Sequence, residues 1–162
     1  MKSVLFVCLG NICRSPAAEG ILRHLVAQDP TGLEVHIESC GLGNWHTGSL
    51  PDERMREAAK RRGLVLQSRA KKIHESFFDR FDLILAADHE VLNELYRYAV
   101  KPDHKAKTHL ITHFSPRYHN QEIPDPYYNG EAGFEHVLDM LEDACEGIVS
   151  HLKSGNGQAA MD

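Results

Sequence analysis

Residues 3–28, SVLFVCLGNICRSPAAEGILRHLVAQ, decide the fold. The opening run, SVLFVC, is apolar almost throughout and does not alternate, which is the composition of a strand buried on both faces. Beyond Pro16, the residues Ile21, Leu22, Leu25 and Val26 recur at helical spacing and define the apolar face of a helix. Ser15 is placed as its N-cap and Pro16 as its first helical residue. A loop, CLGNICRS at residues 8–15, joins the buried strand directly to the helix start.

Outward from this unit the same alternation continues. Residues 34–39 read as a second strand, with Val35 and Ile37 apolar. Residues 51–62 read as a helix, acidic at its start (Asp52, Glu53), basic at its end (Lys60, Arg61, Arg62) and stopped by Gly63. A third buried strand, DLILA, covers 82–86, followed by a helix over 88–98 and a weaker strand over 108–112. In the last helix Phe134, Val137, Leu138, Leu141, Cys145, Ile148, Val149 and Leu152 fall on one stripe. The residues from Ser154 carry no pattern, so the expected organisation is one domain over 1–153 and a mobile tail over 154–162. Strands alternating with helices imply an α/β fold: a doubly wound, four-stranded parallel sheet with helices on both faces, a flavodoxin-like three-layer sandwich. Ligands bind such sheets beyond the carboxyl ends of the strands.

The composition agrees. Of 162 residues, 42% are hydrophobic and 25% charged, the profile of a globular domain and not of a disordered or fibrous chain. No apolar run reaches the roughly 20 residues of a membrane span, and the N-terminus does not match a signal peptide. The net charge of −5 makes a generic nucleic-acid binder a poor expectation. Four cysteines do not make a disulfide scaffold, and a cytoplasmic protein with reduced thiols is expected.

The 8–15 loop carries the chemistry. Its amides, those of Leu9, Gly10, Asn11, Ile12 and Cys13, can converge on one point, where the following helix adds positive potential. Gly10 and Asn11 are residue types that tolerate positive φ, as a cradling loop needs. The expected ligand is a tetrahedral oxyanion the size of phosphate. Cys8 would lie at the floor of the cradle, held as the nucleophilic thiolate by amides and by Arg14. Arg14 can grip two phosphoryl oxygens at once, and the Ser15 hydroxyl can stabilise Cys8 as a leaving group. Taken singly, Cys8 could be a small strand residue, Arg14 a surface charge and Ser15 a cap; the combination points to phosphoryl chemistry. A metal site built on Cys8 and Cys13 is the other reading, but a structural zinc wants four ligands and no second close pair exists, so no metal and no cofactor are expected.

The stretch VLFVCLGNICRSPAAEG resembles the signature of the low-molecular-weight protein tyrosine phosphatases, with Cys8, Gly10, Asn11, Arg14, Ser15, Pro16 and Glu19 in register. The resemblance extends through Ser39, Trp45 and His46, the DERMREAAKRRG and DLILAAD segments and the late DPYY, to about Lys153. It implies hydrolysis of a phosphate monoester through a cysteinyl-phosphate, without a metal. It also implies that Asn11 and Ser39 brace the loop, and that Cys13 can form a reversible disulfide with Cys8 that shields the nucleophile from over-oxidation. One departure stands out. Some animal members carry a histidine near position 68 that joins the loop-bracing network, whereas this chain has QSRAKKI.

A leaving phenolate needs a proton. Asp125 lies between Pro124 and Pro126, which stiffen its loop; by itself it reads as a surface Asp in a proline turn or as the candidate general acid. The resemblance assigns that role to the D-P pair, with the same carboxylate later activating water. A dianionic phosphate beside it favours the protonated acid, so a bell-shaped, mildly acidic pH profile is expected. Trp45, Tyr127 and Tyr128 are candidates for the pocket rim or for a cover on the sheet edge, with Ile12 as a wall; the resemblance favours wall roles for Trp45 and Tyr127. The paired tyrosines also resemble phosphorylation sites of the family. Cys145 lies on the apolar stripe of the last helix and Cys40 closes a strand, both packing residues.

Three rivals share the loop or the ligand. An arsenate reductase needs relay cysteines around residues 87–91, and ADHEV has none. An arginine phosphatase of this fold carries threonine where this chain has Ile12. A non-catalytic phosphate-binding module would have no use for Cys8, Arg14 and Asp125 together. The expected partner is a phosphotyrosine protein, with a tyrosine kinase among the candidates, and no nucleic acid or membrane; a monomer or weak homodimer is expected.

Overall fold

A computed structural model of the chain describes residues 1–126 and 130–161. Tyr127 and Tyr128, placed at the pocket rim by the sequence, lie outside the described residues.

The strand read from SVLFVC is β1, Lys2–Cys8, and it is central. It pairs in parallel with β2, Val35–Gly41, on one side and with β3, Leu83–Ala86, on the other. β3 pairs in parallel with β4, Thr108–Leu110, giving the order β2-β1-β3-β4. The side chains of β1 alternate between two cores, which is why its apolar residues do not alternate with polar ones. Val4 and Phe6 pack with Ile21 and Leu22 of α1 (Arg14–Ala27), Met55 of α2 (Glu53–Lys60), and Phe134, Leu138 and Leu141 of α6 (Gly130–Met161). Leu5 and Val7 pack on the opposite face with Phe78 of α3 (Phe77–Arg80) and with Val91 and Leu95 of α4 (His89–Tyr98). The expected three-layer α/β sandwich is the architecture observed. Truncating a side chain as completely buried as Phe6 costs about 3–5 kcal/mol in such a core.

Several boundaries differ from those read from the sequence. β2 continues to Gly41, two positions past Ser39, because it goes on pairing with Val7 and Cys8. α2 starts at Glu53, with the Asp52 side chain accepting the Arg54 N–H as its N-cap. Two short helices, α3 and α5 (Pro102–Ala106), have no sequence periodicity long enough to show them. β4 stops at Leu110, where a 3-10 turn, Ile111–Phe114, takes over. The backbone of α6 runs past Ser154 to Met161. Among the described residues no helix is long and apolar enough to cross a membrane.

The largest correction concerns the start of α1. Ser15 is not the N-cap: the helix begins at Arg14, with Cys13 in the cap position and making no side-chain cap bond. The Ser15 hydroxyl has a stronger use beside Cys8, described below. Pro16 therefore falls in the first turn but not at its first position, where its missing N–H is still one of the helix's unpaired donors.

Candidate active site

The loop between β1 and α1 closes at the carboxyl end of the central strand, and its peptide planes are oriented from outside. The carbonyls of Cys8 and Leu9 accept from the N–H groups of Leu42 and Gly43, that of Ile12 from Asp52 and that of Cys13 from Ala17. In a trans peptide the carbonyl and the following N–H point in opposite directions. The amides of Leu9, Gly10 and Cys13 are thus turned to the inner side, where the N-terminus of α1 also points. Cys8, only 3% exposed, lies at the floor. Its Sγ accepts the Asn11 N–H at 3.2 Å and lies 2.9 Å from Ser15 Oγ.

Asn11 carries the backbone strain of the loop, with φ +58°, a region asparagine tolerates. Its side chain holds that conformation: Oδ1 accepts from the Lys71 N–H at 3.0 Å, and Nδ2 donates to Ser15 Oγ at 2.8 Å and Ser39 Oγ at 3.0 Å. The Lys71 N–H belongs to the QSRAKKI segment, so this segment reaches the loop through a backbone amide. Gly10 departs from expectation, since it is not among the residues with positive φ. It provides room instead, because a Cβ there would lie 3.1 Å from the His46 ring.

Arg14 is 4% exposed and fixed from behind. Its NH1 donates to Asp88 Oδ2 at 2.7 Å and to the Ile123 carbonyl at 2.9 Å. Burial works against its charge, but attraction from Cys8, Asp88 and Asp125 outweighs it and raises its pKa. Asp125, whose side chain is 42% exposed, places Oδ2 3.9 Å from Arg14 NH2.

These groups border one cleft of about 200 Å³. Cys8, Leu9, Gly10, Ile12, Cys13 and Arg14 line it together with Trp45, His46 and Asp125. Trp45 is 68% exposed, as a rim residue should be. Asn11, Ser15 and Ser39 are buried in the network under the loop. All four cysteines are free thiols. Burial, followed by the charges of Asp52, Cys8 and Asp125, pushes the Cys13 thiol far up, which keeps it protonated. Burial does the same to Cys40 and Cys145, in agreement with packing roles. Among the described residues no three His, Cys, Asp or Glu side chains stand where they could hold a metal ion.

Sequence reasoning gave no site role to Asp88, Gly41 or His46, although Asp88 and His46 lie in stretches that carry the resemblance. Asp88 sits just past β3 at the carboxyl edge of the sheet. Gly41 backs the loop so closely that nothing local in the sequence reveals it.

The comparisons agree with this geometry. Residues 3–158 match the family model of low molecular weight phosphotyrosine protein phosphatases. The Streptomyces coelicolor low molecular weight protein-tyrosine-phosphatase is 38% identical over 160 residues, covering 97% of this chain and 98% of its own. A protein tyrosine phosphatase from Entamoeba histolytica has the same fold, with a TM-score of 0.90 and 38% identity, over 96% of this chain and 99% of its own. A Drosophila arginine phosphatase aligns with a TM-score of 0.85 and 36% identity, over 95% of this chain and 99% of its own. With its matched span covering nearly all of the sequence, the chain belongs to the low molecular weight phosphotyrosine protein phosphatases, a family of hydrolases.

Proposed function

We propose that this protein hydrolyses phosphotyrosine in protein substrates in two phosphoryl transfers, with Cys8 as the intermediate acceptor. The Cys8 thiolate attacks phosphorus, the P–O bond to the tyrosine breaks, and Asp125 gives its proton to the departing phenolate. Asp125, now a carboxylate, takes a proton from water as the water oxygen bonds to phosphorus. The P–S bond breaks, the Ser15 hydroxyl donates to the sulfur that leaves, and inorganic phosphate is released. The Nε and NH2 groups of Arg14 and the inward amides hold the equatorial oxygens, where charge spreads in the transition state.

The observation that carries this reading is the convergence on Cys8 Sγ of the Asn11 N–H and the Ser15 hydroxyl, in a cleft bordered by Arg14 and Asp125. Depth supports an aryl substrate: Cys8 is buried while Trp45 and Leu9 are exposed at the mouth, so a phosphate on a short serine side chain falls short of the sulfur. The Ile12 wall offers a phosphoarginine guanidinium no hydrogen bond and so favours a phenyl ring. Free thiols fit work in the reducing cytoplasm.

The test is hydrolysis of phosphotyrosine, phosphoarginine and phosphoserine peptides side by side, with and without a chelator. Phosphotyrosine should be cleaved fastest, regardless of chelator. A preference for phosphoarginine would move the protein to the arginine-directed activity, and metal dependence would overturn the mechanism.

A further inference from the structure

The two-step reaction makes no use of Arg23 on α1, yet the structure connects it to the nucleophile. We propose that Arg23 is a positioning residue for Cys8, acting through Glu19, Ser39, Asn11 and Ser15.

The connection is a chain of hydrogen bonds. Arg23 donates from Nε and NH2 to Glu19 Oε2 at 3.1 and 2.8 Å, and from NH2 to the Ile37 carbonyl of β2. Glu19 is 6% exposed, and its other oxygen accepts the Ser39 hydroxyl at 2.5 Å. A hydroxyl has one proton. With that proton given to Glu19, Ser39 Oγ is left to accept from Asn11 Nδ2 at 3.0 Å. The same Asn11 nitrogen donates to Ser15 Oγ, so the one proton of Ser15 is directed at Cys8 Sγ, 2.9 Å away; its other acceptor, the Cys40 carbonyl, is at 3.4 Å. The sense of donation reverses twice, at Glu19, which accepts from both sides, and at Asn11 Nδ2, which gives one proton to each hydroxyl, so that both hydroxyl protons have an assigned place in a network that is strong at low dielectric. Without Arg23, the Glu19 carboxylate would lose the two bonds that fix its position, and Oε1, which takes the Ser39 proton, would no longer be held in place. The hold on the strained Asn11 and the aim of Ser15 would both slacken.

The Arg23 side chain is 55% exposed and borders an open cavity of about 240 Å³, so it can be replaced without disturbing the core. The experiment compares R23Q and R23K with the parent protein. It reads kcat and KM on p-nitrophenyl phosphate, the rate of Cys8 alkylation by iodoacetate at pH 6, and the melting temperature. R23Q should lower kcat and alkylation about five-fold each, the scale of one hydrogen bond, with KM changed less than about two-fold. R23K should restore most of the loss, and R23Q should add nothing in a Ser39→Ala background. Unchanged rates in R23Q, or an equal further fall in the Ser39→Ala background, would overturn the proposal. The inference rests on Cys8 as nucleophile, but the two fail differently. A parent protein without hydrolysis refutes that reading, whereas an active parent with an indifferent R23Q refutes only the role of Arg23.

Discussion

Gly41 lies so close under the 8–15 loop that a Cβ on it would stand 2.9 Å from the Leu9 carbonyl oxygen, and 3.0 Å from both the Asn11 nitrogen and the Gly10 carbonyl carbon. All three are backbone atoms, which cannot swing aside as a side chain can. The last residue of β2 thus sets the depth of the cradle from behind. Gly41→Ala should push the loop outward, lowering kcat and weakening inhibition by inorganic phosphate while the far-ultraviolet circular dichroism stays unchanged. Parent-like kinetics in the Ala variant would show that the loop absorbs the methyl without cost.

Ser15 is expected to matter through its proton. A hydrogen bond to a charged sulfur contributes about 1.5–3 kcal/mol, so Ser15→Ala should slow turnover roughly ten- to a hundred-fold. The loss should fall mainly on release of the thiolate from phosphorus, so that a pre-steady-state burst of phenol precedes slow turnover. A missing burst would place the effect in the first transfer instead.

Asp125→Asn removes the proposed proton donor but keeps the shape. General acid catalysis contributes about 10²–10⁴-fold, and phosphotyrosine should lose close to that. Aryl phosphates with better leaving groups need less protonation and should lose less. An equal loss across a leaving-group series would mean that Asp125 serves position and not proton transfer.

Stability should fall on the acid side for a reason remote from the cleft. Burial, and then the neighbouring His113 whose ring stacks 4.1 Å from it, lowers the His109 pKa from 6.5 to about 4. Between those values the unfolded chain holds the proton that the native state excludes, so stability is lost as pH falls from about 6.5 towards 4. His109→Gln should flatten that part of the stability profile measured by urea unfolding at pH 7 and pH 5. An unchanged slope would assign the acid sensitivity to other groups.

How much was legible depended on distance along the chain. The strand–loop–helix unit could be read because its signals are adjacent: an unbroken apolar run, then Cys8, Asn11, Arg14 and Ser15. The parallel sheet followed from the alternation of elements. What stayed hidden involves partners brought together only by folding. Asp88 meets Arg14 from 74 positions away, and Lys71 braces Asn11 with a backbone amide that any residue would have supplied. Ser15 was misplaced as a cap because Ser before Pro is the ordinary helix-start signal; its hydroxyl turns instead to a sulfur and an amide that come close only in the folded loop.

The central claim is a covalent bond between Cys8 and phosphorus. The most direct measurement is mass spectrometry of Asp125→Asn protein quenched in acid during turnover of a phosphotyrosine peptide, with Cys8→Ser as control. The expected result is a phosphate adduct mapped to the peptide containing Cys8, absent from the control, whose turnover is also abolished. An adduct on another residue, or hydrolysis by Cys8→Ser near the parent rate, would contradict the account.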